Sequence, residues 1–375
     1  MQGADPEVVR AALASREPLP GTGGFSGDLE GALVRDVLGR YPLFVERDAS
    51  GEQLPADVWS HDPSDLETPE PFPAGYVRDD AGARSVWSLP APAAYADRGT
   101  AVEAVREAVE RRIDAVDTDG LALAFSGGVD SALLAARLDA PLYVAGFRES
   151  HDVEAARSAA AALDRDLTVV ELTHDALERA VPELVAATGR TNAMAIQIAL
   201  PLYLTAERVA ADGFDRLAVG QGADELFGGY AKVAKAPEDP RVEADTVRGA
   251  QREVVATLPD QLERDVLALR AAGVEPVAPL LHDAVVRAAL RLDDRMLVDG
   301  ETRKWALRQV ALGSLPEAVA TRDKKAAQYG SLVARELDRL ARQAGYKRRM
   351  DDHVTQYVES LTPATTRPFR RRRSP

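Results

Sequence analysis

Leu121-Ala122-Leu123-Ala124-Phe125-Ser126-Gly127-Gly128-Val129-Asp130-Ser131 is a short apolar run that stops in a glycine turn. A second apolar run, Ala132 to Leu138, comes directly after it. The first run reads as a buried parallel strand and the second as a helix. Two glycines let the backbone turn sharply and bring its N–H groups close to a ligand. The helix start adds unpaired amides and a partial positive charge, which suits phosphate. No lysine comes after the glycines, so this is not the GxxxxGK[ST] loop that grips β- and γ-phosphates. Asp130 is placed to hold a metal ion beside the phosphates instead.

The string Ser126-Gly127-Gly128-Val129-Asp130-Ser131 resembles the pyrophosphate loop of the N-type ATP pyrophosphatases. Those enzymes split ATP between its α and β phosphates and adenylate a substrate. A second segment narrows the resemblance: Gly220-Gln221-Gly222-Ala223-Asp224-Glu225-Leu226-Phe227-Gly228-Gly229-Tyr230, after a predicted strand from Arg216. It is similar to the GEGxDExFGGY signature of asparagine synthetase and relatives such as β-lactam synthetase. Glycines and adjacent carboxylates at a strand's C-terminal end fit a ligand crevice of a doubly wound sheet. The resemblance implies ATP and Mg²⁺, with Asp130 and Asp224 sharing the metal. Oxygen ligands of this kind suit Mg²⁺, which also keeps several waters. It further implies that Ser126, Gly127, Gly128, Asp130, Ser131, Gly220 and Gly222 bind ATP, with the Ala145-Gly146-Phe147 strand end bordering the adenine. The family's glutamate between the first two glycines is Gln221 here. A glutamine takes up no proton, so a base role is in doubt while a positioning role survives.

A third segment runs from Lys304-Trp305-Ala306-Leu307-Arg308 through Leu315-Pro316-Glu317 to Arg322-Asp323-Lys324-Lys325 and Gly330-Ser331. By its position in the resemblance, Lys324 neutralises charge on the α-phosphate and leaving pyrophosphate, with Lys325 a competitor one residue away. An ammonium aimed at developing phosphate charge in a dry site is a strong catalytic device. The chain has 46 basic residues but only six lysines, at 232, 235, 304, 324, 325 and 347. Five of the six lie in or beside these two segments. Between the segments, Arg264, Asp265, Gly273, Glu275, Pro279 and Leu281 match the family, whereas Val277 and His282 replace its arginine and aspartate. Contacts to the substrate side chain therefore depart from the standard aspartate pocket.

Net charge is −14, with 60 acidic residues. That surface repels phosphate backbones and argues against general nucleic-acid binding. A dense carboxylate coat with arginine in place of lysine matches a halophilic protein. No apolar run approaches the ~20 residues a membrane helix needs, and no signal-peptide pattern opens the chain, so the expected compartment is the cytoplasm. With no cysteine, disulfides and thiolate chemistry are excluded. The five histidines show no metal-ligand spacing.

Residues 1–95 are rich in Pro, Gly and Asp with short β-like pieces. Gly27 to Glu46 reads as strands around a turn at Arg35-Asp36. This stretch and Phe72-Pro73-Ala74-Gly75-Tyr76 resemble pieces of the family's glutaminase domain. That domain opens with a nucleophilic cysteine, whereas Met1 here is followed by Gln2 and Gly3. Residues 1–95 read as a degenerate glutaminase-like remnant, with an unrelated β-rich cap as the alternative. From Thr100 to Val116, Val102, Val105, Val109, Ile113 and Val116 recur at helical spacing. Strands at 121–125, 142–147, 167–172 and 216–220 alternate with helices near 130–139, 152–163, 174–188 and 194–211. Alternation of this kind predicts an α/β fold, a parallel sheet with helices on both faces. The resemblance implies an adenine nucleotide α-hydrolase-like topology for residues 96–345. Residues 245–345 read as mostly helical. Residues 346–375 form an extension ending in the basic run Arg367 to Arg373, read as solvated or as docking on acidic surface or RNA.

The resemblance thus implies an asparagine synthetase-like ligase. ATP adenylates a carboxylate, that of aspartate first among the candidates, pyrophosphate leaves, and ammonia attacks to give amide and AMP. The resemblance assigns Lys324, Asp224 and Gln221 to the reacting centre. Two alternatives stand beside it: amidation of another carboxylate, and an ATP-binding relative without turnover. Ammonia comes from solution or a separate glutaminase, and a homodimer is compatible with the family.

Overall fold

The computed structural model describes residues 1–47, 58–236, 238–322 and 330–362. The chain forms two compact units, one of Met1–Val116, Gly220–Glu263 and Ala278–Ala320, the other of Asp117–Val219, Arg264–Val277 and Thr321–Pro375. No helix among the described residues is long and apolar enough to cross a membrane.

The second unit holds a five-stranded sheet in the order Leu167–Glu171, Leu142–Gly146, Leu121–Ala124, Arg216–Ala218, Glu275–Val277. Every pairing is parallel. Leu142–Gly146 is buried along its whole length, as expected of a strand covered on both faces. The connecting helices are Val129–Ala135, His151–Ala162, His174–Thr188 and Ala193–Ala211. Leu177, Leu184, Ile196, Leu200 and Tyr203 pack with Ala145 and Leu172 in one apolar cluster. Thr173 and Asn192 cap the last two helices, accepting from Ala176 and Ala195 amides, which fixes where each begins.

The strand order carries functional meaning. From Leu121–Ala124 the chain adds two strands on one side, then returns to add Arg216–Ala218 and Glu275–Val277 on the other. The reversal lies between Leu121–Ala124 and Arg216–Ala218, paired Leu121 to Arg216 and Leu123 to Ala218. Ligands of open α/β sheets bind at the carboxyl ends of strands where the winding reverses.

The strand Glu275–Val277 interrupts a stretch that reads as helical in sequence. It is three residues long and contains Pro276, which an edge strand tolerates.

In the first unit, Gln2–Gly3, Phe25–Leu29, Ala32–Arg35, Tyr76–Asp79 and Gly82–Ser85 form an antiparallel sheet. Phe44–Glu46 forms a smaller one with Trp59–Ser60 and Pro69–Pro71. The expected turn at Arg35-Asp36 is not where the hairpin closes. Phe25–Leu29 and Ala32–Arg35 pair across Glu30 and Gly31, whose φ values of 55° and 85° suit a tight hairpin loop. Arg35 and Asp36 are instead buried, leading to a strand in the other sheet. The helix Arg98–Asp114 buries Ala101, Val105, Val109 and Ile113. Val102 and Val116 are only half-buried, because Ala101 lies four residues before Val105 and takes the core position.

A buried ionic chain ties residues 1–95 to the segment 278–320. Arg40 Nε donates to Asp36 at 2.9 Å and Nη1 to Asp283 at 2.8 Å, all three side chains being almost wholly inaccessible. Arg40 Nη1 also donates to the Leu281 carbonyl at 2.8 Å. Asp283 accepts the Gly21 and Thr22 amides, and Asp36 those of Leu38 and Arg40. Removing one member of such a cluster strands the others in low dielectric, a cost of roughly 3–5 kcal/mol. Arg40→Met is therefore expected to lower the denaturation midpoint steeply. Arg10→Ala, which removes the exposed Arg10–Glu30 pair, should leave it essentially where it is.

Candidate functional site

In the second unit the turn after Leu121–Ala124 is held from below. Gly127 has φ +70°, and a Cβ there would lie 2.6 Å from the Ala155 carbonyl oxygen. Only glycine meets both conditions. Ser131 Oγ donates to the Gly128 carbonyl at 3.2 Å and accepts from the Ser126 amide at 3.3 Å. Gly128 caps the helix start without a side-chain bond, so the turn presents backbone rather than side-chain donors. Asp130, half-buried, stands in the first turn of Val129–Ala135.

Ala155 serves twice. Its carbonyl, against which Gly127 rests, also accepts Arg322 Nη1 at 2.6 Å, while Arg322 Nη2 donates to Ser158 at 2.9 Å. A Cβ on Gly330 would lie 2.0 Å from buried Asp152. Both flanks of the segment 323–329 are thus seated on the helix His151–Ala162. Lys324 and Lys325 themselves lie outside the described residues, as does the basic run 367–373. Around Gly146, Ser150 Oγ and Val153 occupy the room a side chain would take. Phe147 packs against the His174 ring, centroids 5.7 Å apart, and its amide donates to the Ser331 carbonyl.

In the first unit the glycine-rich segment folds as a short helix, Ala223–Phe227, between two left-handed glycines, Gly222 (φ +88°) and Gly228 (φ +73°). A Cβ on Gly222 would meet Leu281 at 2.4 Å. Gln221 and Gly220 are half-buried. The two adjacent carboxylates part company. Glu225 turns inward, where Tyr230 Oη donates to it at 2.6 Å and burial pushes its carboxyl up. Asp224 stays half exposed and receives the Lys304 ammonium at 2.8 Å. The sequence marks Lys304 as part of a matching segment without giving it a role. Its one distinguishing signal there is scarcity, as one of six lysines in the chain.

Each unit carries a half-buried carboxylate beside glycine backbone, Asp130 in one and Asp224 in the other, and carboxylate oxygen is the ligand type that suits Mg²⁺. Among the described residues no group of three or more His, Cys, Asp and Glu is arranged to hold a metal by protein ligands alone.

His282 has a structural role. Its Nδ1 accepts the Ala284 amide at 3.1 Å as helix cap, and the Arg112 guanidinium stands 3.2 Å from Nε2. Burial first, then the neighbouring Arg112 charge, lowers its pKa to about 4 from 6.5. An unfolded histidine takes up its proton near 6.5 and the folded one only near 4. The contribution is complete above 6.5 and is lost as pH falls toward 4. Thermal unfolding should show wild type losing more stability across that window than His282→Asn, which keeps an acceptor at the cap.

A family model described as asparagine synthase matches residues 101–254 and 238–371. The protein named glutamine-hydrolyzing asparagine synthetase 1 in Methanocaldococcus jannaschii is 30% identical over 303 residues, 71% of this chain and 54% of that protein. Asparagine synthetase B (glutamine-hydrolyzing) of Escherichia coli is 26% identical over 364 residues, 86% of this chain and 64% of its own length. The glutamine-hydrolyzing asparagine synthetase of Asparagus officinalis is 26% identical over 308 residues, 74% of this chain and 50% of its length. The chain spans between half and two thirds of the length of these relatives.

Proposed function

The chain belongs to the asparagine synthase family, and we propose that it is an ATP-dependent ligase that amidates the side-chain carboxylate of aspartate with ammonia, releasing AMP and pyrophosphate. The observation that carries this reading is the glycine turn after Leu121–Ala124, at the reversal point of the parallel sheet. A backbone cradle there, opening a helix, suits a pyrophosphate group.

Each residue has an assigned task. Ser126, Gly127, Gly128 and Ser131 hold the phosphates, Gly220 and Gly222 shape the loop that carries Asp224, and Gly146 and Phe147 border the base. Asp130 and Asp224 supply oxygen ligands to Mg²⁺, which when bound draws charge off the phosphates. Lys324, or Lys325 if the register is shifted, meets the charge developing on the leaving group. Gln221 orients by hydrogen bonding, since an amide takes up no proton. Holding carboxylate and ATP together supplies much of the rate.

Residues 1–95 are proposed to be a structural remnant of a glutaminase domain. The 86% coverage in the Escherichia coli comparison exceeds what residues 96–375 alone supply, so the similarity reaches into this region. None of the 375 residues is a cysteine, so this chain supplies no thiol for glutamine hydrolysis. Ammonia then comes from solution or from a separate glutaminase. Work in the cytoplasm and tolerance of strong salt belong to the same proposal.

A second acceptor carboxylate is favoured by one observation. His282 is committed to capping and to Arg112, and a neutral imidazole cannot replace an aspartate's charge.

Purified chain given ATP, Mg²⁺, ammonium and candidate acids should release AMP and pyrophosphate only with the right acid. Aspartate-dependent pyrophosphate with asparagine formed supports the reading, turnover with another acid alone moves the acceptor, and none with any acid overturns it. Lys324→Ala should abolish turnover while ATP still binds. Glutamine should not replace ammonium.

A further inference from the structure

The pair made by Lys304 and Asp224 is asymmetric. The lysine side chain is 10% exposed and the aspartate 49%, so a buried ammonium holds one oxygen of a carboxylate that opens outward. Several features converge on this pair. Lys304 has φ 56° and ψ 38°, left-handed for a residue with a side chain and therefore strained. Such backbone persists only where its surroundings over-determine it. Here the Arg308 amide donates to the Lys304 carbonyl at 2.9 Å, and Arg303 Nη1 donates to the Gly229 carbonyl at 2.8 Å.

Gly229 supplies an independent observation. No positive φ is required of it, yet a Cβ would lie 1.9 Å from Asp224 Oδ1 and 2.5 Å from Lys304 Cε. The position needs glycine because the carboxylate and the lysine stem close over its backbone. Its amide donates to the Asp224 carbonyl at 2.8 Å. Glu225, next in sequence, is turned inward, so Asp224 is the outward-facing member of the two.

We propose that Lys304 is a positioning residue for Asp224: it holds Oδ1 so that Oδ2 is presented in one orientation as the ligand for nucleotide-bound Mg²⁺. The inference rests on the ligase reading and deepens it. Strain at residue 304 is then the cost of aiming one carboxylate. A purely structural lysine would gain from relief of that strain without any change in metal dependence.

The test uses α,β-methylene ATP, which is not cleaved between its α and β phosphates, and measures its dissociation constant by calorimetry with and without Mg²⁺. Lys304→Gly relieves the left-handed backbone and should unfold no lower than wild type. Its Mg²⁺-free affinity should stay close to wild type, while the tightening by Mg²⁺ falls about tenfold, the scale of a lost charge-assisted hydrogen bond. Gly229→Ala should lose the same tightening by pushing the pair apart. If wild type shows no magnesium-dependent binding, the ligase reading fails and this inference with it. If wild type binds and folded Lys304→Gly keeps the full magnesium effect, or loses both affinities equally, the inference alone is overturned.

Discussion

Two parallel strands, Leu121–Ala124 and Arg216–Ala218, pair in register at the centre of the sheet, and the chain winds away from them in opposite directions. Parallel pairing forces both to point the same way, so the backbone leaves the sheet at one edge through Phe125 and again through Val219. Crossovers on either side carry the helices off. Beyond Phe125 the chain enters a glycine turn seated on the Ala155 carbonyl. Beyond Val219 it enters the glycine-rich segment that holds Asp224. The helix His151–Ala162 also receives Arg322 and abuts Gly330. One helix thereby fixes the floor of the glycine turn and both flanks of the segment 323–329.

The same economy appears in the first unit, where charge is buried to make connections. Arg40 between Asp36 and Asp283 joins the N-terminal sheets to the segment that begins at Ala278. Desolvating three ions is costly, and the cost is offset only because backbone amides satisfy both carboxylates. Replacing any one member forfeits that compensation. Residues 1–95 are thus integral to the packing of this unit.

Much of this is legible in the sequence, for identifiable reasons. Between 121 and 219, continuous apolar strands alternate with helices opened by Ser150, Thr173 and Asn192, and the observed boundaries fall within a few residues of those expected. The edge strand Glu275–Val277 is hidden because three residues with a proline give no periodicity. The hairpin closes at Glu30-Gly31 rather than at Arg35-Asp36. Two charged residues look like a turn in sequence, yet Asp36 is buried against Arg40 and Arg35 against the carbonyls of Gly39, Tyr41 and Phe72. Asp224 and Glu225 are equivalent on paper, and only helix phase sends one outward and one into the core. The left-handed backbone of Lys304 carries no compositional trace, although scarcity of lysine marks the residue.

The proposed adenylation of a carboxylate is read out by isotope exchange between labelled pyrophosphate and ATP. Exchange should need Mg²⁺ and an acceptor acid and proceed without ammonia, because adenylation is reversible before amide forms. Exchange absent with every acid, from a chain shown to bind ATP, would contradict it.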